Sequence, residues 1–310
     1  MGEFSVINRI RLVSPAGGAG IIKGIGDDCA VLRPAKGKDL LVTADMLVDG
    51  VHFRVSQGLK EIGRKAMAVS VSDIYACGGK AKYAVVSCGL PRLNFEKNAL
   101  LLHAGLLREA KKHGVKIVGG DTVRAAKLTL NVTVIGEVSR GRQILRSGAK
   151  PGDYILVTGV LGNGAAAFCN NEAYIPELCG KFAGRLSEKK LANCMIDISD
   201  GLSSELLHLA KESGTGALLF EEYIPLSKRA LTAARKRGLK PLSLALNGGE
   251  DYELLFTVSP GNLRRVEKLA EKSLKLSVIG RVTGRRKGVF IADNRGKLLC
   301  LKPGGYDAFV

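Results

Sequence analysis

The chain has 310 residues, 46% of them hydrophobic and 25% charged, with a formal net charge of +18 and seven cysteines. That length suits two packed α/β domains better than one core, and the hydrophobic share excludes a disordered chain. The longest apolar runs, such as Ala99 to Leu107 with His103 inside it, are too short or too interrupted to span a bilayer.

Short apolar strands alternate with amphipathic helices, so the fold class is α+β or α/β with two domains. The opening Met1-Gly2-Glu3-Phe4 lacks the basic-then-apolar order of a signal peptide, and a cytoplasmic location is expected. The patterning predicts strands at Leu40 to Thr43 and Ala84 to Ser87, then a helix from about Phe95 to His113 that ends at Gly114. A strand from Val115 to Val118 stops at Gly119-Gly120, and Thr129 to Val134 alternates as a half-buried strand. The turn-rich stretch Gly148 to Asp153 sets the boundary between a domain at 1–145 and a second at 146–310. Beyond it come a strand at Tyr154 to Thr158, a helix, the segment Met195 to Ile198 and a helix from Leu202. Asn170 to Lys190 carries the weakest pattern, and no fixed-period repeat occurs.

None of the cysteines forms a C-x-x-C pair. Cys29, Cys77, Cys88, Cys169 and Cys194 sit beside apolar neighbours and read as small buried hydrophobes in a reducing compartment. The basic residues are dispersed, with no zinc finger, aromatic RNA-binding motif or basic arm, so neither a nucleic-acid nor a membrane partner is expected. The positive field would still attract a polyphosphate.

The chemistry lies in apolar segments that end in glycine and acid. These are Gly24-Ile25-Gly26-Asp27-Asp28, Asp45 after the Leu40 strand, Asp73 in Val71-Ser72-Asp73-Ile74, Gly119-Gly120-Asp121-Thr122, Asp197-Ile198-Ser199-Asp200-Gly201 and Gly248-Gly249-Glu250-Asp251. Any one of them could be a turn, and Asp200 could simply cap the following helix. Six in one chain point to carboxylates that need a cation, and hard oxygen donors suit Mg²⁺ bridging to phosphates. No G-x-x-x-x-G-K-[ST] occurs, which excludes a P-loop. Gly162-Asn163-Gly164-Ala165-Ala166-Ala167 lacks the second acidic strand of a dinucleotide site and is read as close packing of helix on strand.

In order along the chain, several segments resemble the motifs of thiamine-monophosphate kinases. They are Gly24 to Leu32, Asp45-x3-Asp49-Gly50-Val51-His52-Phe53, Lys65-Ala66, Ser72-Asp73-Ile74, Gly119 to Thr122, Arg146 to Asp153, Asp197 to Leu202 and Gly248 to Phe256. Gly2-Glu3-Phe4 and Gly305-Tyr306-Asp307-Ala308-Phe309 fit the family's two ends. The resemblance implies the aminoimidazole-ribonucleotide-synthetase-like fold, with N-terminal domains of two subunits joined in a shared β-barrel and a C-terminal α/β domain completing the site. It implies a homodimer that transfers phosphate from ATP to thiamine monophosphate with Mg²⁺. By the same resemblance Asp28, Thr43, Asp45, Asp73, Asp121, Asp197 and Asp200 hold metal, with Asp27 beside them. Gly120, Asp121, Arg146, Ser199 and His103 meet the nucleotide, and His52, Glu250 and Tyr306 meet thiamine monophosphate. Asp45, Asp121, Arg146 and Asp200 are the implied catalytic set. His103 stands where the family usually has an aromatic, Tyr306 where it has Trp, and Ala308 where it has His. The family's H-x-x-P-x-x-R segment is not recognisable between Asn170 and Asn193. Another ATP enzyme of the superfamily, or a weakly active binder of ATP and thiamine phosphates, is the alternative.

Overall fold

The computed structural model describes residues 20–23, 26–33, 37–272, 274–285, 288–302 and 304–305. Its first half is a six-stranded sheet of β1 (Ile21–Lys23), β2 (Ala30–Leu32), β3 (Lys38–Val48), β4 (Lys80–Leu90), β5 (Lys116–Arg124) and β6 (Thr129–Ser139). The order is β1-β2-β3-β6-β4-β5. Every pairing is antiparallel except β4 with β5. On β3 the odd positions Asp39, Leu41, Thr43 and Leu47 are buried, while Leu40, Val42, Ala44 and Met46 face outward. The period of two thus gives the sheet one packed face and one open face.

The packed face is covered by α1 (Leu59–Ala76), whose Ala66, Met67, Val71 and Ile74 are fully buried. Outside α1 lies α2 (Phe95–His113), which ends at Gly114 in the left-handed conformation, as its glycine predicts. Two glycines allow α1 and α2 to touch backbone to backbone. A Cβ on Gly63 would lie 2.2 Å from the Leu102 carbonyl oxygen, and one on Gly105 would lie closer still to that of Lys60. Gly105→Ala is therefore expected to cost about 1 to 2 kcal/mol by overpacking, despite alanine's higher helix propensity. The check is a lower urea midpoint with an unchanged m-value.

The second sheet contains β7 (Tyr154–Thr158), β8 (Cys194–Asp197), β9 (Thr215–Phe220), β10 (Leu254–Val258), β11 (Leu276–Gly284), β12 (Val289–Ala292) and β13 (Leu298–Cys300). Its order is β13-β12-β9-β11-β7-β10-β8. Around it lie α3 (Asn163–Cys169), α4 (Gly180–Glu188), α5 (Leu202–Ser213), α6 (Lys228–Arg237), α7 (Pro241–Asn247) and α8 (Leu263–Leu269). β8 and β10 are buried at every position because both faces carry a core: Ile196 and Leu255 join one cluster, Met195 and Phe256 the other. The weakly patterned stretch before Asn193 contains α4, whose Phe182 meets Phe256 edge-on at 5.9 Å.

Several expectations change. The first sheet is open, with β1 and β5 as its edges, and the described residues of one chain form no closed barrel. β5 does not stop at Gly119-Gly120 but runs through them to Arg124. Asp45 lies within β3 rather than after it, and Asp73 belongs to helix α1 rather than to a strand end. All seven cysteines are free thiols; Cys29, Cys77 and Cys194 are buried, whereas Cys88 and Cys169 are only half-buried.

Candidate active site

The acidic centre forms where α1 passes between the two sheets. Asp28 comes from the bend before β2, Thr43 and Asp45 from the packed face of β3, Asp73 from α1 and Asp197 from the end of β8. Carboxylate oxygens of Asp28, Asp73 and Asp197 all lie within 4.8 Å of one another. The Thr43 hydroxyl donates to Asp73, and the Ser72 hydroxyl donates to Asp197. Among the described residues, buried oxygens Asp28 Oδ2 and Asp45 Oδ2 have no hydrogen-bond partner. Cys77 Sγ lies within the same 4.8 Å of Asp27 and Asp28, but its thiol pKa is raised, so the donors left for a cation are the orphaned carboxylate oxygens, which fit a hard ion such as Mg²⁺.

Crowding these acids has an electrostatic consequence. Burial, then repulsion from Asp45, Asp197 and Asp28, raises Asp73 well above the usual carboxylate range. Burial and Asp28 push Asp197 up to about 8 and Asp27 up to about 6. A folded chain that holds protons more tightly than the unfolded one loses stability as pH rises through that window. Without Mg²⁺, Tm should therefore fall between about pH 4 and pH 8 by several degrees. Millimolar Mg²⁺ should flatten the slope by taking the protons' place, which thermal scans with and without the ion will check. Equal slopes in both conditions would remove the cation from this cluster.

Arg146 lies beside the acids rather than apart from them. Its Nη2 meets Asp28 Oδ1 at 2.7 Å, its backbone N–H donates to Asp27, and its buried Nε has no partner among the described residues. Burial opposes its charge, but Asp28, Glu205 and Asp27 outweigh that and keep it firmly protonated. Asp200 does not cap α5. Gly201 is the N-cap, at φ +116°, and Glu205 reaches back instead. Glu205 is 2% exposed and accepts the Ser199 hydroxyl and the Asp200 N–H, both at 3.1 Å. Sequence reasoning missed Glu205 because an acid in a first helical turn is ordinary dipole complementation.

Across the acids lies a second group. The Val48 N–H donates to His52 Nδ1 at 3.1 Å, and burial lowers this ring's pKa, so it is neutral with its proton on Nε2. Lys65, 7% exposed, donates to the His52 carbonyl at 2.6 Å and to Glu250 Oε1. Glu250 and Tyr252 follow Gly249 at φ +59° and +53°, a left-handed backbone rare for such residues and stored at functional sites. Asp251 anchors the turn by accepting the N–H groups of Gly162 at 2.6 Å and Gly164 at 3.0 Å. A Cβ on Gly164 would stand 2.4 Å from the Glu250 carbonyl oxygen and one on Gly162 2.7 Å from the Ala230 Cβ, so the Gly-x-Gly-x-x-Ala run serves close packing, but against the Glu250 turn and α6 rather than against a strand.

Three expected positions stand elsewhere. Gly120 and Asp121 lie on the exposed edge strand β5. The register runs Asp45–Val132–Val86–Gly120 across β3, β6, β4 and β5, which sets Gly120 three strands from Asp45, roughly 14 Å. Asp121, one residue on, points to the opposite face. His103 is exposed on α2. It does not line the cleft of about 300 Å³ beside Thr122, where Phe95, Arg92 and Arg124 stand instead. Tyr306 lies outside the described residues.

With this geometry, the chain can be set beside known proteins. Residues 26–138 match the AIR synthase related protein N-terminal domain, and residues 150–293 match its C-terminal domain. Thiamine-monophosphate kinase of Buchnera aphidicola subsp. Acyrthosiphon pisum is 33% identical over 97% of both chains. That of Escherichia coli K12 is 34% identical over 99% of this chain and 98% of its own. A solved structure described as AaThiL complexed with AMPPCP and TMP superposes with a TM-score of 0.84 at 32% identity, covering 99% of this chain and 97% of that one. The hydrogenase maturation protein HypE in complex with ATP, at 20% identity and a TM-score of 0.73 over 89% and 88%, shares the fold. With full-length relatives above 30% identity and both domains matched, the chain belongs to the thiamine-monophosphate kinase family of AIR synthase related proteins.

Proposed function

We propose that this protein transfers the γ-phosphoryl group of ATP to thiamine monophosphate, giving ADP and thiamine diphosphate by direct in-line displacement. The observation that carries the reading is the cluster of Asp28, Asp73 and Asp197, with its orphaned oxygens, inside a chain similar over its whole length to kinases of this substrate. The acceptor is a phosphate oxygen that is already ionised at neutral pH, so the protein needs no strong base. Its task is alignment and relief of charge. Bound Mg²⁺ would offset repulsion between the two anionic groups, held by Asp28, Asp45, Asp73, Asp197 and Asp200 with Thr43 at their edge. Arg146, paired with Asp28, sets that acid's orientation and adds a cation beside the phosphates. Ser199, tied to Glu205, lines the nucleotide side. His52 Nε2–H and the Glu250 carboxylate face the thiamine portion, and Tyr306 is the third contact that the family resemblance implies.

The open sheet face supports a homodimer. Met46 and Tyr83 are 58% and 47% exposed there, in register rows with Val42, Ile135 and Asn131. A second copy laid on this face would bury it and complete a barrel that one chain leaves open. In that assembly the domain at 1–145 supplies dimerisation and the metal acids, and the domain at 146–310 closes the site. Because Asp121 cannot share an ion with Asp45 of its own chain, Gly120 and Asp121 serve the partner's nucleotide. Incubation with ATP, Mg²⁺ and thiamine monophosphate should yield thiamine diphosphate and one ADP per product. ATP turnover without thiamine diphosphate would overturn the reading.

A further inference from the structure

The proposed contact between Glu250 and thiamine monophosphate admits two chemistries: a counter-ion for the thiazolium, or a hydrogen-bond acceptor for the aminopyrimidine. Lys65 separates them. Its ammonium sits in the N-terminal half of α1, 7% exposed, and bonds both the His52 carbonyl and the Glu250 carboxylate. The Glu250 side chain is 22% exposed, so this ion pair is largely withdrawn from water. Its charge is thus already matched, and a second cation would find a neutral pair. What the carboxylate keeps is unused acceptor capacity, because one ammonium occupies only part of two oxygens.

We infer that Lys65 is a specificity-determining positioning residue: it fixes Glu250 as a neutralised, acceptor-only group that selects a ring bearing an amino donor over one bearing an oxo acceptor. The inference rests on the proposed function and goes beyond it by naming what Glu250 reads and what enforces it. Backbone geometry agrees. Glu250 is held at φ +59° by the Gly249 turn and by the Asp251 anchor on α3, so the carboxylate is presented in one place. The same ammonium also ties down the loop that carries His52. One buried ammonium therefore aligns contacts from both domains. Removing it would leave a carboxylate free to move, its acceptor oxygens no longer fixed against an amino donor.

The test compares thiamine monophosphate with oxythiamine monophosphate, in which an oxo group replaces the pyrimidine amino group. Wild type should favour the amino substrate in kcat/KM by at least about 10-fold, since a site built for an N–H donor rejects the analogue lacking it. Lys65→Met should raise KM for thiamine monophosphate about 10-fold or more, leave KM for ATP unchanged, and cut the discrimination to within about threefold. Lys65→Arg should recover much of it. Lys65→Met with wild-type discrimination, or with equal losses toward ATP and thiamine monophosphate, overturns the inference. Glu250→Gln separates the two levels. If it relaxes discrimination while Lys65→Met does not, Lys65 has no such role and the function stands. If Glu250→Gln changes nothing, the inference falls with the assignment of Glu250 as a substrate contact. Should Lys65→Met fail to fold, Lys65→Met/Glu250→Gln removes the stranded carboxylate. It should then be no worse than Glu250→Gln alone, and additive losses would overturn the coupling.

Discussion

Asp73→Asn is expected to unfold at a higher temperature than wild type in the absence of Mg²⁺, while losing about a hundredfold to a thousandfold of its turnover at saturating Mg²⁺. The two effects have one cause. Asp73 faces Asp45, Asp197 and Asp28, and its own ionisation is opposed first by burial and then by those three charges. An asparagine keeps an oxygen for the Thr43 hydroxyl and offers an amide donor to a neighbouring carboxylate, so the apo fold gains, by about 1 kcal/mol. The charge that made the apo state costly is the one that would hold the cation. Mg²⁺ should accordingly raise the wild-type Tm more than that of the variant, because only binding to the folded state stabilises it. Calorimetry with and without Mg²⁺, beside steady-state turnover, checks both halves. Near-normal turnover, or an apo Tm below wild type, would take Asp73 out of the metal set.

What could be read from sequence divides along physical lines. The strand at Tyr154 to Thr158 and the helix ending at Gly114 follow from periodicity and a C-terminal glycine, both local signals. The acids were legible as a set because acids recur beside six apolar segments, four of them with glycine. The secondary structure of two of them was not. Asp73 sits in a helix buried on nearly every side, so Val71-Ser72-Asp73-Ile74 shows no amphipathic period to distinguish it from a buried strand. β5 ran on through Gly119-Gly120 because its parallel partner β4 supplies the ladder that two glycines would otherwise weaken. Lys65, seen only as part of a family motif and given no role, and Glu205, not seen at all, escaped for a different reason. Each draws its meaning from partners 185 and 13 residues away or from a backward reach within one turn, which spacing does not encode. Asp121 shows the reverse case: its motif is recognisable, yet only the register reveals that it stands apart from the acids it was grouped with.

That separation leads to the second large effect. Asp45→Asn and Asp121→Asn proteins should each be inactive, whereas, on the proposed dimer, a mixture of the two, unfolded together and refolded, should recover activity. Asp45 points to the packed face of β3, and Asp121 occupies the exposed edge strand roughly 14 Å across the sheet, turned to the other face. If each site uses Asp121 from the partner, a mixed dimer contains one site that carries both substitutions and one that carries neither. Random pairing makes half of the dimers mixed, so about a quarter of all sites should be intact, an outcome that two-fold symmetry imposes. If instead each chain used its own Asp121, every site in the mixture would carry one substitution and activity would stay at the background of the parents. The stoichiometry of recovery also tests the open face, since a charged residue at Met46, which is 58% exposed there, should prevent pairing. Met46→Glu should therefore run as a monomer on sizing and abolish the recovery, because the acids of one chain would then never meet the edge strand of another.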